Sequence, residues 1–138
     1  MHPRRAMTYG LWLAAAYNIV GMLAFSQGFT NPLLHNTDPA VFSWLGQVSI
    51  ILWGLAYASA ARTYHTIPGL LWVFCLEKIV YGVAWLMWLN HQGHTLPQLA
   101  DTAPFTALFF ASYGAGDWLF AGFFAWAGWQ VRKKATAA

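Results

Sequence analysis

The chain has 138 residues, of which 59% are hydrophobic and 8% charged, against roughly 25% charged in an ordinary soluble domain. Nine Trp, six Tyr and ten Phe add more apolar surface than a soluble core of this length can hide, so composition points to an integral membrane protein. The net charge is a modest +3 with its basic residues at chain ends and one connection, which argues against a nucleic-acid partner, and the single Cys75 excludes an intramolecular disulfide and a thiolate metal cluster.

Four apolar segments follow in chain order. The first, residues 7–27, comes after the basic "MHPRR" and ends at "GFTNP". It is longer than the roughly 7–15 apolar residues of a signal peptide, carries Tyr17 and Asn18, and has no small-x-small cleavage site near Gln27, so a retained helix is expected. The second, 40–62, runs into "RTYHTIPG". The third, 68–90, stops at "NHQGH". The fourth, 106–131, stops at "RKK". Each reaches the length of about 20 residues needed to cross a hydrocarbon core, where only helices satisfy their own backbones.

Arg4 and Arg5 precede the first segment, Arg62 lies between the second and third, and Arg132, Lys133 and Lys134 follow the fourth. The connections 28–39 and 91–105 hold no Lys or Arg, so the positive-inside rule places both termini in the cytoplasm. Trp72, Trp88, Trp126 and Trp129 fall near segment ends, as an interfacial belt requires. The expectation is one all-α domain over 1–138, an integral membrane antiparallel four-helix bundle in a bacterial inner membrane. The short 62–68 connection makes the second and third helices packing neighbours, and the third and fourth less strictly so.

Only Glu77, Lys78 and Asp117 are charged deep inside these segments, away from their ends. At 1.5 Å per residue, Lys78 and Asp117 each lie about 15 Å from opposite ends of their helices, so antiparallel neighbours bring them to one level. An unpaired charge there costs about 2.5 kcal/mol or more, which makes a Lys78–Asp117 ion pair the expected solution. Glu77 points about 100° away from Lys78 and needs another partner, for which Asn18 is the candidate donor. With two acids to one base, Glu77 is the carboxyl expected to hold its proton at neutral pH. Tyr17 shares this level, Tyr81 shares a face with Glu77, Tyr113 shares one with Asp117, and Gln47 and Tyr57 line the second helix. The centre reads either as a structural clasp or as a ligand or proton site.

"SYGAGDW" lacks the preceding strand and following Lys of a phosphate loop, so Gly114 and Gly116 are read as places of close helix approach, as are the Ala111/Ala115 and Gly10/Ala14 faces. His91 and His94 have a spacing that could hold a metal, but Gly93 interrupts the helix and no metal site is assigned. No histidine lies inside a segment, which removes a bis-His haem, and no cofactor is identified. Trp12, Trp44, Trp53, Trp85 and Trp118 serve bundle packing or an aromatic-lined pocket for a flat apolar ligand.

"AAAYNIVGMLAF", "LWGLAYASAAR", "LEKIVYGVAWL" and "GAGDWLFAGFFAW" resemble the pattern of a family of small bacterial four-helix inner-membrane proteins. Tyr17, Asn18, Gly54, Tyr57, Lys78, Gly116 and Asp117 carry the resemblance, which implies a four-helix bundle with a polar centre and no particular reaction. A more distant likeness to DoxX-like proteins rests on four helices and a lysine in the third.

The expected function is binding of a small hydrophobic ligand or a partner helix around Glu77, Lys78, Asp117, Asn18, Tyr17, Tyr81 and Tyr113, without catalysis. A homodimer or a place in a larger membrane complex fits the surplus apolar surface. The alternatives are a proton-coupled transporter using Glu77 and, third, a membrane-embedded isomerase-like enzyme.

Overall fold

The computed structural model describes residues 3–136; expectations that fall on residues 1, 2, 137 and 138, or on the side chain of Lys134, lie outside the described residues. The fold is helical throughout, and no strand occurs among the described residues. Helix α1 spans Pro3–Phe25. Its end is closed by a Gly28 N–H to Leu23 C=O bond of 3.0 Å. The chain there passes through left-handed conformations at Gln27, Gly28 and Phe29, with φ of 50°, 64° and 69°. Only the middle one is a glycine, so two residues with Cβ atoms hold a costly geometry. Asn31 ties the turn down by donating to the Phe25 carbonyl at 3.0 Å and to Thr106 Oγ1 at 3.2 Å.

Two short helices follow, α2 over Pro32–Thr37 and α3 over Pro39–Phe42. Each begins with an Asx-Pro pair. Asn31 Oδ1 accepts from Leu33 N at 3.1 Å and Asp38 Oδ1 from Val41 N at 3.3 Å, while each proline fills a position that needs no N–H donor. Helix α4 is Trp44–Ala60. The continuous helix expected over 40–62 is therefore broken at Ser43, whose ψ of 163° leaves the helical region. The Ser43 hydroxyl starts α4 by accepting from Gly46 N at 3.2 Å, and Gln47 Nε2 reaches back across the break to the Phe42 carbonyl at 2.9 Å.

Helix α5 spans Pro68–Gln92. A 3₁₀ turn at Gly93–Thr95 and α6 over Leu96–Thr102 then occupy what was expected to be a loop over 91–105, and α7 runs over Pro104–Thr136. The helix-forming residues "LPQLADT" with Pro97 in the first turn account for α6.

The closest backbone pairings are α1 with α4 and α5 with α7. The expected close pairing of the second and third helices is corrected accordingly: α4 and α5 meet through large side chains, with the rings of Tyr57 and Trp53 at 4.8 and 6.4 Å from that of Phe74. Glycine decides where backbones come together. A Cβ on Gly54 would lie 3.1 Å from the Ala15 carbonyl oxygen of α1. Between α5 and α7 the notches are reciprocal: the Trp85 ring of α5 lies on Gly114 of α7, and the Trp118 ring of α7 lies on Gly82 of α5.

The interior forms two apolar clusters. One gathers Met7, Leu11, Tyr57, Phe74 and Phe124; the other gathers Met22, Phe42, Ile50, Phe109 and Phe110. Along α1, α5 and α7, the buried residues Asn18, Glu77, Lys78 and Asp117 fall between the two. Two stretches, Arg4–Phe25 and Pro68–Thr102, are long and apolar enough to cross a membrane, and Trp44–Ala60 is a shorter apolar helix.

Candidate functional site

Lys78 is 1% exposed and is the organising residue of the polar centre. Its Nζ lies 2.7 Å from Asp117 Oδ1 and 2.7 Å from Asn18 Oδ1. Three helices thus converge on one ammonium: α5 supplies the cation, α7 the carboxylate and α1 the amide oxygen. The rings of Tyr17 and Tyr57 add their faces, with centroids 5.3 and 5.4 Å from Nζ. Asn18 holds its orientation by donating its Nδ2 to the Ile50 carbonyl of α4 at 3.0 Å. All four long helices therefore contribute to the environment of one charge.

Glu77 is satisfied differently from the sequence expectation. Asn18 is already committed to Lys78 and Ile50, and the donor to the Glu77 carboxyl is the hydroxyl of Tyr57, which meets Oε2. Spacing along the chain hid this contact. Tyr57 sits in "GLAY", one turn beyond the Gly54 notch, and its aromatic ring reads equally well as core. The close approach of α4 to α1 at Gly54 was the available clue that this face of α4 points inward. Tyr17 uses its hydroxyl to donate to the Tyr113 carbonyl, and its ring occupies the space left by the missing side chain of Gly116.

These residues line a cavity of about 110 Å³. Its polar wall is Tyr17, Asn18, Glu77, Lys78, Tyr81, Ser112, Tyr113 and Asp117; its apolar wall is Gly21, Met22, Phe25, Phe42, Ile50 and Phe109. All seven residues expected at the ligand site are in this lining, Tyr81 and Tyr113 included, whereas Tyr57 stands behind Glu77 and outside it. Glu77 Oε1 and the Tyr113 hydroxyl are buried without a hydrogen-bond partner, as is Gln47 Oε1 next to the Ser43 break. Buried polar atoms are nearly always paired, and two of these orphans belong to residues that line one cavity.

The histidines lie elsewhere. His91 and His94 are exposed on either side of the break at Gly93, and among the described residues no cluster of three or more His, Cys, Asp or Glu side chains forms. The arrangement can neutralise charge, orient a small molecule by hydrogen bonds and hold it against aromatic rings. Comparison with protein-family models, curated proteins and solved structures gives no match to this chain, so the reading of the site rests on its own chemistry.

Proposed function

We propose that the chain is a multi-pass membrane protein of the bacterial inner membrane, with α1, α4, α5 and α7 as four antiparallel spans and both ends cytoplasmic, and that its polar centre binds a small hydrophobic ligand. The membrane part is supported by the surface. Leu13, Val20, Leu52, Val80, Leu108 and Leu119 are all more than half exposed, and within the most apolar windows of α1 and of Pro68–Thr102 only 28% of residues are buried. A core helix of a soluble protein would be mostly buried. Between residues 104 and 131, α7 carries Asp117 as its one charge. The basic residues of the long helices gather at the end formed by Arg4, Arg62 and Arg132, and the Tyr64 hydroxyl joins that end of α4 to α1 by donating to the Arg4 carbonyl at 3.2 Å.

The observation that carries ligand binding is the cavity opening onto the Lys78–Asp117 pair. A purely structural clasp between helices gains most when packed without space around it. Here the pair borders a void whose opposite wall is aromatic and aliphatic, the usual composition of a small-molecule pocket.

The test is native mass spectrometry of the protein released gently from its own membrane. A stoichiometric small-molecule adduct is expected, and it should be absent from a folded Lys78→Met/Asp117→Leu variant, in which the ion pair is replaced by apolar groups of similar size. A bare polypeptide mass from the native membrane would overturn the reading.

A further inference from the structure

The seam between α1 and α7 is closed at two levels, with small residues between them. Toward α6, Phe25 stacks on Phe105 with ring centroids 4.4 Å apart and lies tilted against Phe109 at 4.8 Å. At the other level Tyr17 lies across Gly116 and bonds to the Tyr113 carbonyl. Between these closures the cavity wall consists of Gly21 on α1 and Ser112 on α7. A Cβ on Gly21 would meet nothing within 4 Å. Ser112 is exposed, and its hydroxyl turns back to the Leu108 carbonyl of its own helix at 2.7 Å. The rim is apolar: Val20 and Leu108 are 63% and 58% exposed.

We propose that this gap is a lateral portal through which the cavity takes a phenol-like, single-tailed amphiphile from the lipid phase, ring inside, hydroxyl between Glu77 and Tyr113, tail leaving between Gly21 and Ser112. The proposal rests on the ligand-binding reading above and names its ligand class. Size supports a single ring. The cavity measures about 110 Å³ and is partly open, and an enclosed cavity of about 150 Å³ takes up benzene. Phe42, Phe109 and Tyr81 supply the aromatic wall.

Polarity selects the head group. Glu77 Oε1 needs a donor when the carboxyl is ionised, and Tyr113 has a hydroxyl proton without an acceptor. One hydroxyl supplies both roles, and it also meets Glu77 when the carboxyl is protonated, because a hydroxyl accepts as well as donates. An anionic head is disfavoured. The only cation in the lining, Lys78, is already engaged by Asp117 and Asn18, and Glu77, whenever ionised, would repel a second carboxylate or a phosphate.

The experiment uses the full chain in lipid nanodiscs, 4-octylphenol as probe and octylbenzene as its counterpart without the hydroxyl, read by native mass spectrometry. Wild type is expected to carry one octylphenol and no octylbenzene. Gly21→Trp and Ser112→Trp, which block the gap from opposite sides, should keep the melting temperature and lose tenfold or more in octylphenol affinity. Should one tryptophan variant fail to fold, the other and Gly21→Leu carry the same test. Undiminished binding in the blocked variants overturns the portal while leaving the ligand site standing. Equal binding of octylbenzene overturns the role of the hydroxyl. No octylphenol adduct on wild type overturns this proposal altogether, and the adduct test on material from the native membrane then decides separately whether a ligand site of another class exists.

Discussion

Lys78 shows how one residue type decides its surroundings. A four-carbon stem can run through apolar packing, but its ammonium keeps three donors that need acceptors. Asp117 and Asn18 provide two at 2.7 Å, and the Tyr17 and Tyr57 faces fill the remaining directions. Removing one member of such a pair strands the other in a low dielectric. Lys78→Met is therefore expected to destabilise the fold by about 3–5 kcal/mol, and Lys78→Met/Asp117→Leu to restore most of that loss. Thermal unfolding in a mild detergent measures both, and losses that simply add would refute the coupling. Tyr57→Phe removes the hydroxyl that meets Glu77 and should cost about 1–3 kcal/mol in the same assay, with Tyr81→Phe costing clearly less. The pairing of Lys78 with Asp117 was legible in the sequence because charges within long apolar runs have few places to go. The partner of Glu77 was not. Depth along a helix follows from counting, but which way a tyrosine points depends on the approach of the next helix, and that is set by glycines far from it in sequence.

At the scale of elements, prolines and glycines carry the information. Asn31-Pro32 and Asp38-Pro39 each start a helix, and Ser43 ends the hope of one continuous helix from Ala40 onward. Apolar composition ran across that break without interruption, which is why hydropathy joined the two pieces; the capping residues were the better guide. The glycines sort by what stands opposite them. Gly54 faces the Ile19 and Asn18 side chains and the Ala15 carbonyl of α1, whereas Gly21 faces open space. Gly54→Val should therefore destabilise by about 1–3 kcal/mol through overpacking. Gly21→Ala should be neutral or stabilise by up to about 1 kcal/mol, since alanine is the better helix former. Equal effects at the two positions, read from unfolding midpoints, would contradict the assigned helix contacts.

For the whole molecule, the paired helices α1–α4 and α5–α7 form two halves that meet around the polar centre. The four long apolar segments were visible from composition; the pairing of helices was not, because chain order suggests neighbours whereas glycine notches and aromatic rings choose them. The proposed orientation has a direct test. A topology reporter fused behind α7 should read as cytoplasmic, and one inserted beside Gln98 in α6 as periplasmic. The opposite pattern, or release of the protein from membranes by alkaline carbonate, would remove that arrangement.

The two tryptophans seated in each other's glycine notches have a mechanical meaning. Trp85 on Gly114 and Trp118 on Gly82 act as a pair of dowels: sliding α5 along α7 by even one residue would drive an indole into a side chain that is not glycine. Axial shear between those two helices is blocked, and they move as one plank. Breathing that admits a guest to the cavity is therefore expected between that plank and the paired helices α1 and α4, which Gly54 holds together as closely.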